Sequence, residues 1–310
     1  MKPSIVVVGS SNTDMVIKAR HIPAPGETIL GGTFFMNQGG KGANQAVAAA
    51  RLGGQVTFIS KIGTDIFGQQ SVDLYKKEDI DTTHISVDNK SQSGIALIIV
   101  DDMGENSIAV APGANSTLHI DDVTKAKKVL EHASIVLMQL EIPLGTVEYV
   151  AGLAEITDTM LILNPAPACA LPDSLLNKIS IITPNEKEAE MLTGIVITNV
   201  DAAKEAATII SGKGVKTVII TLGAKGSLIY HNKSFSLVPA MQVKAIDTTA
   251  AGDVFNGALA VALSEGKELR DAVVFANTAA AISVTKLGAQ ASAPFRKEVE
   301  DQINYSIIKT

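Results

Sequence analysis

Short, continuously apolar runs alternate with helical patterns along most of this chain, and this alternation limits the fold more than any other feature. Six runs rich in β-branched residues are typical of buried strands, at 5–8, 56–59, 135–138, 160–163, 179–182 and 217–221. Five segments with helical periodicity lie among them, at 43–52, 121–130, 146–154, 186–192 and 202–210. Strands that are apolar on both faces belong to sheets that are covered on both faces. The sequence therefore predicts an α/β fold in which helices flank a mostly parallel central sheet.

Two regions, 14–37 and 92–111, interrupt this alternation. They contain strand-like runs at 15–17, 29–35, 94–100 and 107–110, with no crossover helix between them. We expect these excursions to form one small antiparallel β lid over an active site, although periodicity alone fits edge strands of the main sheet equally well. No repeat or Pro/Ser-rich linker divides the chain. We therefore predict a single domain over 1–310, mostly helical from Ala251 onward.

Composition excludes several classes of protein. The net charge is −6, the pI is about 5.4 and the four Arg residues are scattered, so the chain lacks the basic patch that nucleic acid or an anionic membrane needs. One cysteine, Cys169, cannot form an intrachain disulfide and suits a reducing compartment. The first apolar run has only four residues, too short for a signal peptide, and no run approaches the roughly 18 residues that span a bilayer. We expect a cytoplasmic protein.

The most informative segment is Asp247-Thr-Thr-Ala-Ala-Gly-Asp253, which opens a helical run. The small residues Ala250, Ala251 and Gly252 let the amides at the helix N-terminus approach an anion closely, and such amides stabilise charge that develops during phosphoryl transfer. In the first turn the helix dipole favours the ionised form of Asp253, which suits removal of a proton from an attacking hydroxyl. Taken alone, a helix cap is an equally good interpretation of Asp253.

Two further segments follow buried strands. Asn185 and Glu188 stand three residues apart at a helix start, where a capping box is the simpler interpretation. The glycines of 221–226 suit a turn that meets a ligand, or an ordinary turn.

Two other nucleotide-binding motifs are excluded. Residues 39–42 are not a P-loop, because Gly follows the lysine. Residues 9–12 lack the glycines of a dinucleotide fingerprint, which disfavours a dinucleotide-dependent oxidoreductase.

Polar residues collect where strands of the predicted sheet end. Asn12 and Asp14 come just past the first strand, Lys41 and Asn44 precede the Ala-rich helix, and Glu141 follows the strand ending at 138. Ligands of open α/β sheets bind at the carboxyl ends of strands. Each residue alone is typical of a turn or a solvated charge. Together they supply the donors and acceptors that a buried polyol requires.

These motifs resemble those of the ribokinase family, also called the phosphofructokinase-B-type carbohydrate kinases. Residues 247–253 are similar to the family's second signature and 39–44 to its first, and the resemblance extends from the first strand to Pro294. Much of the family has Gly at the position of Ala250. Ala at this position resembles one branch of the family. The resemblance implies an ATP-dependent sugar kinase with one α/β core and a β lid.

The resemblance also implies roles for individual residues. Asp253 is the catalytic base, and the anion hole is formed by the amides of Ala250, Ala251 and Gly252. The positions that match sugar contacts are Asn12, Asp14, Gly40, Lys41, Asn44, Glu141 and Asp253. The positions that match ATP contacts are Asn185, Glu188, Thr221, Gly223, Ala224, Gly226, Gly252 and Asn277. Glu188 organises Mg²⁺ mainly through water, as an ion that keeps several waters allows. The positions that match a monovalent cation site, with K⁺ expected, are Asp247, Thr249, Ser283, Lys286, Gly288 and Ser292. A lysine ammonium is not a cation ligand, so Lys286 offers only its backbone.

Two absences narrow the implied substrate. The chain has no Trp and 4% aromatic residues, which disfavours a site that stacks a nucleobase. Lys41 is the only basic residue of the proposed sugar site, which disfavours a phosphorylated sugar. We therefore expect phosphorylation of D-ribose at its 5-hydroxyl. Fructose, a keto-deoxy sugar acid or a nucleoside are alternative acceptors, and a non-catalytic sugar- or nucleotide-sensing module is an alternative of a different class. The unpaired lid strands predict a homodimer.

Overall fold

The strands and helices of this protein are given by a computed structural model that describes residues 3–308. The strands are β1 Ser4–Val8, β2 Asn12–Lys18, β3 Thr33–Gly39, β4 Gln55–Gly63, β5 Ile85–Asp88, β6 Gly94–Val100, β7 Asn106–Ala111, β8 Ile135–Met138, β9 Met160–Leu163, β10 Ile181–Ile182, β11 Thr217–Thr221, β12 Ser227–His231 and β13 Ser234–Val238. The helices are α1 Lys41–Arg51, α2 Ile66–Lys77, α3 Ile120–Thr124, α4 Lys127–Glu131, α5 Leu144–Ile156, α6 Asp173–Leu176, α7 Glu186–Thr193, α8 Val200–Gly212, α9 Ala251–Ser264, α10 Leu269–Ser283 and α11 Arg296–Ile308. Three short 3₁₀ turns lie at Gly113–Thr117, Gly223–Lys225 and Gln290–Ser292.

The larger sheet has nine strands in the order β13-β12-β11-β10-β9-β8-β1-β4-β5. Seven neighbouring strands, from β11 to β5, pair in parallel, and β12 and β13 add an antiparallel hairpin at one edge. The predicted parallel core is confirmed, with the strand at 179–182 shortened to two residues. The hairpin and β5 were not predicted. The helical segment at 121–130 divides into α3 and α4.

Helices cover both faces of the larger sheet, as its apolar strands require. Ile5 and Val7 of β1 pack into a core with α1, α9 and α10, whereas Val6 and Val8 pack into a second core with α5 and α8. Each fully buried Val or Ile stabilises the fold by about 1.5–3 kcal/mol relative to an exposed one. Packing on both faces holds the parallel strands in place, so their carboxyl ends lie along one edge of the larger sheet. The polar residues predicted to form the site lie at this edge.

The smaller sheet has the order β3-β2-β6-β7 and is separate from the larger one, so the edge-strand alternative for these segments is wrong. It consists of two antiparallel hairpins joined by a parallel pair between β2 and β6. The strand predicted at 29–35 lies at Thr33–Gly39, four residues later. Because β2 begins four residues after β1 ends, this lid sheet grows directly out of the carboxyl edge of the larger sheet.

No helix within residues 3–308 combines the length and apolar character that crossing a bilayer requires. The single-domain organisation over 1–310 stays a prediction.

Candidate active site

The N-terminus of α1 lies directly against the loop that follows β1. The amide of Ala43 donates to Ser10 O at 2.9 Å. A Cβ added at Gly42 would lie 2.6 Å from the carbonyl carbon of Gly9, and one at Gly40 would lie 2.7 Å from the amide nitrogen of Asn12. Gly40 also has a φ of +87°, which a side chain disfavours. The glycines at 39–42 therefore let α1 place its first side chains at the end of β1.

Glu141 is held at this edge by two donors. Its Oε2 accepts a hydrogen bond of 2.5 Å from Ser10 Oγ and one of 3.0 Å from the backbone amide of Lys41. Ser10 is fully buried. The sequence did not single out Ser10, because a serine after a strand is an ordinary turn residue. The structure thus joins the loop after β8 to the start of α1.

Asp253 lies in the first turn of α9 and is 6% exposed. Its Oδ2 accepts from Asn44 Nδ2 and its Oδ1 from Gln45 Nε2, both at 2.9 Å. Asn44 Oδ1 is buried without a hydrogen-bond partner among the described residues. A buried acceptor without a partner is costly unless a ligand satisfies it. This oxygen therefore fits a ligand that donates a hydrogen, such as a sugar hydroxyl.

Gln45 is itself fixed by a chain of buried amides. Its Oε1 accepts from Gln139 Nε2 at 2.5 Å, and its Nε2 also donates to Asn164 Oδ1 at 3.1 Å. Asn164 Nδ2 in turn donates to the backbone carbonyl of Thr183 at 3.3 Å. A backbone carbonyl can only accept, so it sets the orientation of each amide in the chain. Gln139, Asn164 and Thr183 are the first residues after β8, β9 and β10. That shared position is the signal by which the sequence could have shown them.

The charges at the site shift one another's pKa values. Burial raises the pKa of Asp14 to about 6, and the Glu141 and Asp253 carboxylates add to the rise. Burial likewise raises the pKa of Asp253 and of Glu188. For Lys41, burial lowers the pKa, but these four carboxylates together outweigh burial and raise it. Lys41 thus stays protonated and balances the surrounding negative charge. Burial also makes Asp253 a stronger base than the helix dipole alone would allow.

The backbone before α9 is tightly turned. Ala250 has a φ of +59°, in the left-handed region where Gly costs nothing and Ala costs roughly 1–2 kcal/mol. This geometry gives the physical reason why much of the resembled family has Gly there. The Ala251 amide donates to Thr248 O at 3.3 Å, so one of the predicted anion-hole amides has a partner within the turn. A Cβ added at Gly252 would meet nothing within 4 Å, which leaves room beside the first-turn amides.

Asn185 and Glu188 form the capping box that was the simpler interpretation. Glu188 Oε2 accepts from the Asn185 amide at 2.8 Å, Glu188 Oε1 accepts from Asn185 Nδ2 at 2.9 Å, and Asn185 Oδ1 accepts from the Glu188 amide at 2.8 Å. The box holds the buried Glu188 carboxylate rigidly, and each oxygen keeps a lone pair for water. No group of three His, Cys, Asp or Glu side chains within 3–308 is arranged to hold a metal. A buried carboxylate whose oxygens can each accept one more hydrogen bond fits a Mg²⁺ ion that keeps most of its water ligands.

The predicted nucleotide loop lies next to this box. Thr221 forms an isolated parallel bridge with Asn185, and its amide donates to Pro184 O at 2.9 Å. Gly223 and Gly226 both have positive φ, and a Cβ at Gly226 would overlap the carbonyl of Val238. Gly226 is thus required by its turn. Ala224 lies between these glycines, in the 3₁₀ turn after β11.

Asn277 joins α10 to the edge hairpin. Its Oδ1 accepts from Ser227 Oγ at 2.7 Å, and its Nδ2 donates to Val238 O at 3.2 Å. This places the residue at the same end of the larger sheet as the 221–226 loop. One amide hydrogen remains for another acceptor.

Comparisons with known proteins agree with this geometry. The pfkB family of carbohydrate kinases matches residues 2–296. This chain belongs to the pfkB family of carbohydrate kinases. A ribokinase of Haemophilus influenzae is 46% identical over 306 residues, which cover 99% of this chain and 100% of the relative.

Two solved structures resemble this chain over nearly its whole length. A ribokinase from Thermotoga maritima has a TM-score of 0.89 at 41% identity and covers 97% of this chain and 99% of its own. A ribokinase from Arabidopsis thaliana, complexed with ribose and ATP, has a TM-score of 0.91 at 32% identity and covers 97% of this chain and 98% of its own. The carbohydrate-kinase fold expected from the resemblance is confirmed.

In this pfkB-family chain, the positions predicted to hold a monovalent cation come from two neighbouring segments. Asp247 Oδ1 accepts from the Thr249 amide and its Oδ2 from the Gly288 amide, both at 2.9 Å. The Ser283 and Ser292 hydroxyls are buried and donate to backbone carbonyls at 2.8 Å. Oxygen atoms of this kind suit K⁺.

Lys286 is the remaining position predicted for the cation site, and its ammonium is already paired. Its Nζ forms a 2.6 Å ion pair with Glu298 Oε1. Since an ammonium has no lone pair and the Lys286 amide donates to Ser283 O, the carbonyl oxygen is the one group that Lys286 can offer a cation.

Proposed function

We propose that this kinase transfers the γ-phosphoryl group of ATP to the 5-hydroxyl of D-ribose and gives ribose 5-phosphate. The observation that carries the proposal is the buried Asp253, which Asn44 holds by a hydrogen bond and whose charge interacts with those of Asp14, Lys41 and Glu141. The Haemophilus influenzae relative is a ribokinase, and the Arabidopsis thaliana structure holds ribose and ATP. A small, unphosphorylated polyol matches the mixture of donors, acceptors and a single basic residue at this edge.

Asp253 is the group placed to take the proton of the attacking hydroxyl. Its buried carboxylate has a raised pKa, and two amides fix its orientation. A late proton transfer to such a base suits a loose phosphoryl-transfer transition state. The first-turn amides of α9 stabilise the negative charge of the transferring group.

Lys41, Glu188 and the lid have supporting roles in this proposal. The Lys41 ammonium offsets the charge of the carboxylates around it, so a further anion can enter the site. Glu188 would hold Mg²⁺ through water, and the ion would supply the charge that neutralises the phosphates. A K⁺ ion at 247–249 and 283–292 would steady the turn that leads into α9. Closure of the β2-β3-β6-β7 lid excludes water and limits wasteful ATP hydrolysis.

A panel of acceptors in a coupled ADP assay tests the substrate. We expect D-ribose to give a kcat/KM at least about tenfold above 2-deoxyribose, fructose, a keto-deoxy sugar acid and adenosine, because a site that pairs a hydroxyl rejects an analogue that lacks it. Turnover of ribose should increase when K⁺ replaces a large organic cation. A better acceptor elsewhere in the panel would assign the chain to a sister kinase. Complete absence of sugar-dependent ADP would favour a sensing module.

We also propose that the lid pairs with the lid of a second copy of this chain. Side chains alternate along a strand, so the lid face opposite Asp14 consists of Met15, Ile17, Phe34, Met36, Leu97 and Ile99. Ile17, Phe34, Met36 and Leu97 are 43–57% exposed. An apolar face of this kind, at a sheet with free edges, favours association.

Sedimentation velocity tests the dimer. The wild-type chain should sediment as a dimer, and Phe34→Glu should sediment as a monomer because it places a charge on the apolar face. Phe235→Glu is the matched control, since Phe235 is 40% exposed on β13 of the other sheet. Sedimentation of the wild type as a monomer at all concentrations would reject the dimer.

A further inference from the structure

Asn115 lies beside the proposed sugar site although no sequence motif includes it. It belongs to the short 3₁₀ turn Gly113–Thr117, which follows the last lid strand, and it is 2% exposed. Its side chain forms hydrogen bonds with Ser11 and Asn12, more than 100 residues earlier in the chain. Asn115 therefore joins the lid connection to the loop after β1.

The backbone of Ser11 fixes which way the Asn115 amide points. Asn115 Oδ1 accepts from the Ser11 amide at 2.9 Å, and Asn115 Nδ2 donates to the Ser11 carbonyl at 3.1 Å. A backbone amide only donates and a backbone carbonyl only accepts, so the opposite orientation would break both bonds. The second hydrogen of Asn115 Nδ2 then donates to Asn12 Oδ1 at 2.7 Å.

This contact fixes the amide of Asn12 in turn. Because Asn12 Oδ1 accepts from Asn115, its Nδ2 is left to donate elsewhere. Asn12, Asn115 and Glu141 line one cavity of about 590 Å³. A Cβ at Gly94 would overlap both Asn12 Oδ1 and Asn115 Nδ2. A side chain at position 94 would therefore push the two amides apart.

We propose that Asn115 is a positioning residue that makes Asn12 a hydrogen-bond donor to an oxygen lone pair of the sugar. The inference rests on the proposed function, because it requires a polyol beside Asn12 and Glu141, where this cavity meets the proposed sugar site. Asn12 and Asp14 lie two residues apart on one face of β2, so the site presents one amide donor and one carboxylate acceptor side by side. A sugar with neighbouring hydroxyls satisfies both when one hydroxyl accepts and the next donates.

A double-mutant cycle tests this role. Asn115→Asp removes the N–H that Asn12 Oδ1 needs, so Asn12 turns its amide and presents oxygen to the sugar. We expect the Kd for ribose, measured by calorimetry, to increase by about 10–100-fold, while the KM for ATP changes less than about twofold. In an Asn12→Ala background the same change should have almost no further effect on the Kd, because Asn115 acts through Asn12.

Two further variants keep the result interpretable. Asn115→Ala removes the amide without adding charge, and it decides the cycle if circular dichroism shows that Asn115→Asp is not folded. Asn199→Asp, at the exposed cap of α8, is the matched control for an added carboxylate. Additive losses in the cycle, or an Asn115 variant that binds ribose like the wild type, would overturn the inference. Failure of the wild type itself to bind ribose would instead reject the proposed function.

Discussion

Replacing Asp253 by Asn is expected to lower kcat by about 10²–10⁴-fold, because the variant has no group that can take the hydroxyl proton. The substitution fits the fold. Gln45 Nε2 can still donate to the oxygen of the new side chain, which has the size and shape of the old one. We therefore expect the Kd for ribose to change less than about fivefold and the unfolding midpoint to stay close to that of the wild type. Steady-state kinetics and calorimetry measure the two effects separately.

Asp271→Asn is the matched control for this variant. Asp271 is also an acidic residue in the first turn of a helix, but it lies on α10 and is exposed. If Asp253 served only as a helix cap, the two variants would have similarly small effects, since a first-turn carboxylate contributes about 0.3–1 kcal/mol. Near-normal turnover of Asp253→Asn would contradict its assignment as the base.

Replacing Asp14 by Asn is expected to weaken sugar binding and to stabilise the fold at the same time. The loss of a charged acceptor for a hydroxyl should increase the Kd for ribose by about 10–150-fold. The gain in stability follows from the pKa of Asp14, which burial and the neighbouring carboxylates raise from 3.8 to about 6. The folded state binds this proton more tightly than the unfolded state, so the ionised carboxylate opposes folding.

The stability gain should depend on pH in a defined direction. Below the unfolded pKa of 3.8 the wild-type Asp14 is neutral in both states, and the variant gains little. The wild type loses stability as the pH rises from 3.8 to about 6. Above that range the variant should have a free energy of unfolding higher by about 1–3 kcal/mol.

Urea denaturation at about pH 4.5 and about pH 8 measures this difference. Asp73→Asn, at an exposed position of α2, is the control and should show no such dependence. If the Asp14→Asn variant is less stable than the wild type at the higher pH, the ionised Asp14 carboxylate of the wild type does not oppose folding, which would contradict this account.

The parallel core could be predicted because burial on both faces makes a strand apolar at every position, as in β1 and β8. The hairpin β12–β13 could not be predicted, because β13 is a mostly exposed strand and is not apolar at every position. The predicted site residues that come together, such as Asp14 and Glu141, were indicated by charge at strand ends and by the family resemblance.

Residues that orient the site were not predicted. Gln45, Gln139 and Asn115 are neutral amides that look like ordinary helix or turn residues in the sequence. Their roles depend on partners between 94 and 208 residues away, as with Gln139 and Gln45 or Gln45 and Asp253. Only the three-dimensional structure shows which end of each amide faces its neighbour.

The most direct test of the account is to identify where the phosphoryl group is transferred. Ribose and ATP would be incubated with the wild-type chain and Mg²⁺, and the product examined by ¹H–³¹P correlation NMR. The account predicts one new phosphate that correlates with the two protons on carbon 5, and no such product from Asp253→Asn over the same time. A phosphate on carbon 1, or ADP formed without any phosphorylated sugar, would contradict it.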